Sequence, residues 1–114
     1  MPLIRLVDLE QGLPSSDEPK RRLQEAIQSA RRDRVRVLKL IHGYGSTGSG
    51  GRLRISIRAA LRIAKQCGDI KLFVTGEDWR ISDELAWKVL TICPELKEDS
   101  DLGRRNPGIT FVLL

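Results

Sequence analysis

Apolar and polar positions along the 114-residue chain switch between a period near two and a period near 3.6, and those switches lay out the elements. Leu3 to Leu9 is predicted as a first strand, with Ile4, Leu6, Val7 and Leu9 apolar. A loop with Gly12, Pro14, Ser15 and Ser16 follows. Asp17 then offers a helix cap, and Pro19 suits a first helical turn. Leu23, Ala26, Ile27 and Ala30 recur at helical spacing, which predicts a helix from about Pro19 to Arg31. The nearly continuous apolar run from Val35 to Ile41 reads as a buried second strand. A second helix is expected from about Gly51 to Gln66, with Leu53, Ile57, Ala60, Leu61 and Ala64 as its core stripe. Ile70 to Val74 reads as a third strand. A third helix, from Asp83 to Cys93 with Ser82 as cap, is stopped by Pro94. After a polar stretch ending in the turn signal Asn106-Pro107-Gly108, Ile109 to Leu114 forms the last strand.

Strands alternating with helices imply an open α/β sandwich with a largely parallel sheet. In such sheets ligands sit at the carboxyl ends of the strands. Asp8 and His42 end the first two strands and are therefore expected on one rim.

That rim carries the most informative segment, Ile41-His42-Gly43-Tyr44-Gly45-Ser46-Thr47-Gly48-Ser49-Gly50-Gly51-Arg52-Leu53-Arg54. A strand stops at the only histidine, a Gly/Ser/Thr loop follows, and an arginine-rich helix begins. Free backbone N–H groups at a helix start attract anions, and glycines let the backbone approach a ligand closely. The pattern predicts a phosphate-holding loop. It is not a dinucleotide site, although Gly43 to Gly48 formally fits GxGxxG. The loop is too long, the helix does not open on the third glycine, and the chain lacks room for a two-halved fold. Nor is it a P-loop, because Gly51-Arg52-Leu53 does not supply GK[ST].

Charge sharpens the picture. The net charge is +5, but residues 20–66 hold thirteen Lys or Arg against only Glu25 and Asp33, whereas both flanks are net acidic. A basic block around the glycine loop points to a polyanion, with a solvated basic surface as the alternative. Arg54, Arg58 and Arg62, four apart, are expected along one exposed helix face. With only 4% aromatic residues, a platform stacking single-stranded bases is not expected. Trp79 and Trp87 are read as packing residues. Cys67 and Cys93 form no CxxC or Cys/His spacing and are read as reduced core residues. No metal-ligand spacing or cofactor motif is present, so a divalent metal has no identifiable ligands. No signal-peptide pattern or membrane-length apolar run appears, which predicts a cytoplasmic protein without membrane contact.

The HGxG segment with Gly51-Arg52-Leu53-Arg54 resembles the HGxG…G.LR signature of the Smr (small MutS-related) domain family. Val7-Asp8-Leu9 is similar to the start of that family's LDLHG motif, and Gly108 to Leu113 to its closing G.T.V.L strand. The resemblance implies a two-layer sandwich like the C-terminal domain of translation initiation factor three, a βαβαββ core with two helices on one face. It also implies nucleic-acid binding and, in several members, endonuclease or nicking activity.

Two departures stand out. Glu10 replaces the histidine of LDLHG, with Gln11 inserted before Gly12. Residues 76–107 form a long acidic segment with an extra predicted helix before the last strand. Residues 1–114 are thus read as a single Smr-like domain with that segment as an insertion. The resemblance carries over Asp8, His42, Gly43, Gly45, Leu53 and Arg54.

The first functional reading is binding of a DNA or RNA backbone, with little base specificity, by Gly43, Gly45, Ser46, Thr47, Gly48, Gly51 and Arg52, together with Arg54, Arg58 and Arg62. The second is a nuclease, with His42 as general acid or base, Asp8 or Glu10 orienting it or activating water, and Arg54 stabilising developing charge. The third is a protein-interaction module without a nucleic-acid role, docking a partner through the acidic third helix.

Overall fold

The computed structural model of the chain describes residues 3–10, 18–43 and 49–114. The elements are β1 (Ile4–Asp8), α1 (Glu18–Arg32), β2 (Val37–Ile41), α2 (Ser49–Gln66), β3 (Leu72–Thr75), α3 (Glu84–Ile92) and β4 (Ile109–Leu113), with short 3-10 turns at Gly76–Asp78 and Pro94–Glu98. Each lies within about two residues of its sequence expectation.

The sheet order is β1-β2-β4-β3. It is mixed rather than largely parallel: β1 and β2 run parallel, but β4 enters antiparallel between β2 and β3. The cause lies in residues 76–108. A single crossover helix delivers the chain to the opposite end of a sheet. Here the chain leaves β3, runs out through α3, and returns to the end it left. The two ends of the excursion touch, because a Cβ on Gly76 would collide with the backbone oxygen of Asn106.

Side-chain alternation sends each strand's residues to two cores. On one face Leu38, Leu40 and Val112 pack under Leu23 and Ile27 of α1 and Leu53, Ile57 and Leu61 of α2. On the other, Val37, Val74, Phe111 and Leu113 pack under Ala86, Val89 and Leu90 of α3. The two helices on one face match the expected sandwich, and residues 76–107 add a cover on the far face. Trp79 anchors that cover, fully buried, its ring stacked on Phe111 at a centroid distance of 3.9 Å. Burying an aromatic side chain of this kind stabilises by roughly 2–3 kcal/mol.

Three local expectations change. Asp83 rather than Ser82 caps α3, its Oδ2 accepting from Ala86 N at 3.0 Å; the two residue types cap about equally well, so sequence alone does not choose. Cys67 falls just past the end of α2's buried stripe and is exposed, whereas Cys93 is buried. Burial beside Glu95 pushes the Cys93 thiol up to about 12, and it donates to Glu95 Oε1. Trp87 is only half covered, with the Lys97 ammonium 5.5 Å from its ring centroid. Among the described residues no helix is long and apolar enough to cross a membrane.

Candidate nucleic-acid interface

Register places the ends of β1 and β2 side by side. Asp8 sits opposite Ile41, and Leu9 N donates to Ile41 O at 2.8 Å. Asp8 and His42 therefore do share a rim. Asp8 is exposed and its Oδ1 accepts from Glu10 N at 2.9 Å, turning the chain back over the strand end. The turn lays the Glu10 carboxylate across Gly43. Gly43 has a φ of +74°, a backbone conformation that favours glycine, and a Cβ there would push the Glu10 carboxylate aside.

His42 is completely buried. Its Nδ1 lies 2.7 Å from Gly43 O and its Nε2 2.9 Å from Thr110 Oγ1. A carbonyl can only accept, so Nδ1 carries the proton in the neutral ring, and Thr110 donates to Nε2. The backbone closes the same corner, with His42 N and Gly43 N both donating to Gly108 O. Burial is the main cause holding the His42 pKa below its usual value. The charges of Arg58 and Arg54 add to that lowering, while the Gly43 hydrogen bond and Glu77 oppose it. The imidazole is thus a neutral tie between β2, β4 and Gly43, facing no solvent.

The arginines of α2 do not form one exposed face. Arg52 and Arg62 are exposed and Arg54 half-exposed. Arg58 is turned inward: Nη2 and Nη1 grip the Glu77 carboxylate at 2.6 and 3.0 Å, and Nη2 also reaches Pro107 O at 3.3 Å. Its Nε is buried with no partner. Arg58 therefore binds the 76–108 segment to α2 instead of reaching outward. Glu77, held below its usual pKa chiefly by that guanidinium, is a site residue the sequence reading missed. Thr110 is another; its signal was a lone hydroxyl inside an apolar run. Gly51 is half-buried in the first turns of α2. Gly45, Ser46, Thr47 and Gly48 lie outside the described residues.

Part of the acidic segment is spent internally, while Asp78, Glu84, Glu95 and Glu98 are exposed. Asp99 and Asp101 hold Lys39 of β2 at 2.8 and 2.6 Å, and Asp83 caps α3. Among the described residues no three His, Cys, Asp or Glu side chains gather where they could hold a metal ion.

The architecture recurs in the crystal structure of the Smr domain of Thermus thermophilus MutS2, with 26% sequence identity, a TM-score of 0.58 and 96% of each chain covered. This chain is an Smr-like domain. No protein-family profile and no curated protein matches its sequence. In this Smr-like domain the ends of β1 and β2 and the His42-Gly43 corner share one rim. There the Glu10 carboxylate lies against Gly43, and the charge of half-exposed Arg54 reaches the buried His42.

Proposed function

We propose that this domain binds the phosphate backbone of DNA or RNA along the rim at the start of α2, with little sequence preference. The observation that carries the reading is the charge arrangement. Arg52, Arg54 and Arg62 reach solvent, while Asp99 and Asp101 are engaged by Lys39 on the far face of the sheet and so do not offset them. Likeness to the Smr domain of MutS2 and the HGxG…LR resemblance favour nucleic acid over other polyanions. Phosphate contacts position a strand without reading bases. Gly43 and the glycine-rich residues after it would let the backbone come close, and cytoplasmic surroundings suit the exposed Cys67 thiol.

Binding of labelled single- and double-stranded DNA and RNA, measured by fluorescence anisotropy across a salt series, tests this. Affinity should fall steeply with salt. Arg54→Ala should weaken binding on every sequence and reduce the log–log salt slope by about one. Salt-independent binding, or none, overturns the proposal.

Nicking forms a second step within the same reading, following the family resemblance. Asp8 and Glu10 are the exposed carboxylates available to activate water, and Arg54 would stabilise the charge that develops. His42, buried and doubly hydrogen-bonded, would serve as a positioning residue for the Gly43 peptide. A nicking assay with and without EDTA on the wild type, Asp8→Asn and Glu10→Gln reads this step and any metal requirement together.

Glu77→Gln gives a further expected result. It releases the Arg58 guanidinium and removes a negative charge whose field reaches Arg54. Nucleic-acid affinity should rise several-fold, whereas Asp78→Asn, a neutralisation on the neighbouring exposed carboxylate, should change it much less. The lost ion pair should cost about 1 kcal/mol of stability, because the half-exposed Glu77 carboxylate is partly screened by water. Equal effects from the two neutralisations would show general electrostatics instead of a specific latch.

A further inference from the structure

The core stripe of α2 leaves Ile55 and Ile63 unexplained. They are 66% and 61% exposed on a helix whose other outward positions are mostly basic or polar. With Ala59 between them they form an apolar ridge at four-residue spacing, about 12 Å long by helical rise. Beside the ridge, a groove of about 460 Å³ runs between α1 and α2. Its α2 wall is Ala59, Ala60, Ile63 and Ala64, and its floor reaches Leu23 and Ile27 of α1. Small side chains on that wall let another backbone approach closely.

The rim is basic. Lys20 and Arg31 line the α1 side. Gln24 and Gln28 add hydrogen-bonding capacity. One carboxylate, Asp69, lies at the lower end, where its backbone oxygen accepts from Arg31 Nη1 at 3.2 Å.

We propose that this groove docks an acidic amphipathic helix of a partner protein, its apolar stripe on Ala59, Ala60 and Ile63 and its carboxylates toward Lys20 and Arg31. Charge complementarity selects an acidic partner. The apolar floor selects a helix over a nucleic-acid strand, because a phosphate backbone gains from the cations but nothing from isoleucine and alanine. An amphipathic helix uses both, reading its anchors at i, i+3, i+4 and i+7. The inference is independent of the nucleic-acid reading, which rests on the other flank of α2.

The probe is a fluorescein-labelled, stapled helical peptide of about 15 residues, long enough to hold a helix, with leucine along one face and glutamate elsewhere. Its controls carry serine for leucine at the same charge, or lysine for glutamate at the same apolar face. The acidic amphipathic peptide should bind the full domain with micromolar Kd, and each control at least tenfold more weakly. Ile63→Glu should abolish binding while leaving the far-ultraviolet circular dichroism and the melting temperature close to wild type, since Ile63 is exposed. Lys20→Glu should weaken it several-fold, and Arg54→Ala should leave it unchanged. Equal binding of the serine peptide would mean a general polyanion surface and overturn the proposal, as would binding insensitive to Ile63→Glu. A dimer in sedimentation equilibrium that dissociates on Ile63→Glu would assign the face to a second copy and overturn it too.

Discussion

Lys39→Met should lower the unfolding free energy by about 3–5 kcal/mol, the usual cost of stranding a buried charge, measured by urea denaturation at neutral pH. The ammonium sits on the α3 face of β2, 13% exposed, between carboxylates that are 10% and 22% exposed. It also lies 5.6 Å from the Phe111 ring centroid. Asp99 additionally accepts from Trp79 Nε1 at 3.1 Å, and Asn106 donates to Asp101. Lys39 is therefore the counter-charge on which the far-face cover closes. Methionine fills the volume but leaves two carboxylates facing each other with little water.

The pH dependence follows from the same contacts. Asp101 is held below its usual pKa by the hydrogen bonds of Lys39 and Asn106 and by the Lys39 charge, which together outweigh its burial. Its contribution is present above about pH 4 and is lost as pH falls through the depressed value. Lys39 is raised above 10.5 because its Asp101 and Asp99 contacts outweigh the opposing burial. Its contribution is full below that value and lost only at higher alkalinity. In Lys39→Met, Asp101 loses the cation that helps hold its pKa down, and the deficit relative to wild type should shrink on acidification. The triple variant Lys39→Met, Asp99→Asn, Asp101→Asn should recover most of the loss, since it removes both charge types together. A loss under 1 kcal/mol, or one that does not vary with pH, would contradict this role.

The cover itself shows where sequence reasoning reaches its limit. The helices were legible because Leu23–Ile27–Ala30 and Leu53–Ile57–Leu61 repeat every three to four residues, and the strands because β-branched runs end at turn residues. Such patterns record which face is buried, not which strand lies beside which. The antiparallel insertion of β4 depends on residues 76–108 making a round trip, and no local periodicity encodes that. The pairing of Lys39 with Asp99 and Asp101, some sixty positions away, was equally hidden: in sequence it is one cation in an apolar strand and two acids in a polar loop. The rim was partly legible. Strand ends in a βαβ unit put Asp8 beside His42, whereas the positive φ at Gly43 came only with the structure. The inward turn of Arg58 was not, because i, i+4 spacing specifies a shared helix face without saying what covers it.

In the same corner the buried histidine acts as a brace. Four elements meet there: β2 through His42 and Gly43, β4 through Thr110 and the preceding Gly108, α2 through Arg58, and the turn after β3 through Glu77. Glu10 closes it from the end of β1 against Gly43. Gly43 is thus fixed on several sides, and Arg58 ties α2, which carries exposed Arg52 and half-exposed Arg54, to the same frame.

His42→Ala should cost about 3 kcal/mol, combining a cavity with a Thr110 hydroxyl and a Gly43 carbonyl left unsatisfied. His42→Gln, which keeps a donor and an acceptor near the same places, should cost roughly half as much. The pH signature separates this effect from simple loss of packing. The folded-state pKa of His42 lies below the ordinary 6.5, chiefly through burial. The unfolded chain therefore takes up a proton that the folded one refuses. Stability should fall as pH drops from about 6.5 toward the depressed value, by up to about 1.4 kcal/mol per pH unit. As the only histidine in the chain, His42 should account for that slope, and both His42 variants should be flat across the window. For function, the brace predicts that His42→Gln retains most nucleic-acid affinity and any nicking rate, while His42→Ala loses both along with its stability. If His42→Gln abolished cleavage while stability and binding stayed near wild type, the imidazole would have to reach the substrate. The corner would then have to open on binding, and the role as a positioning residue would fail.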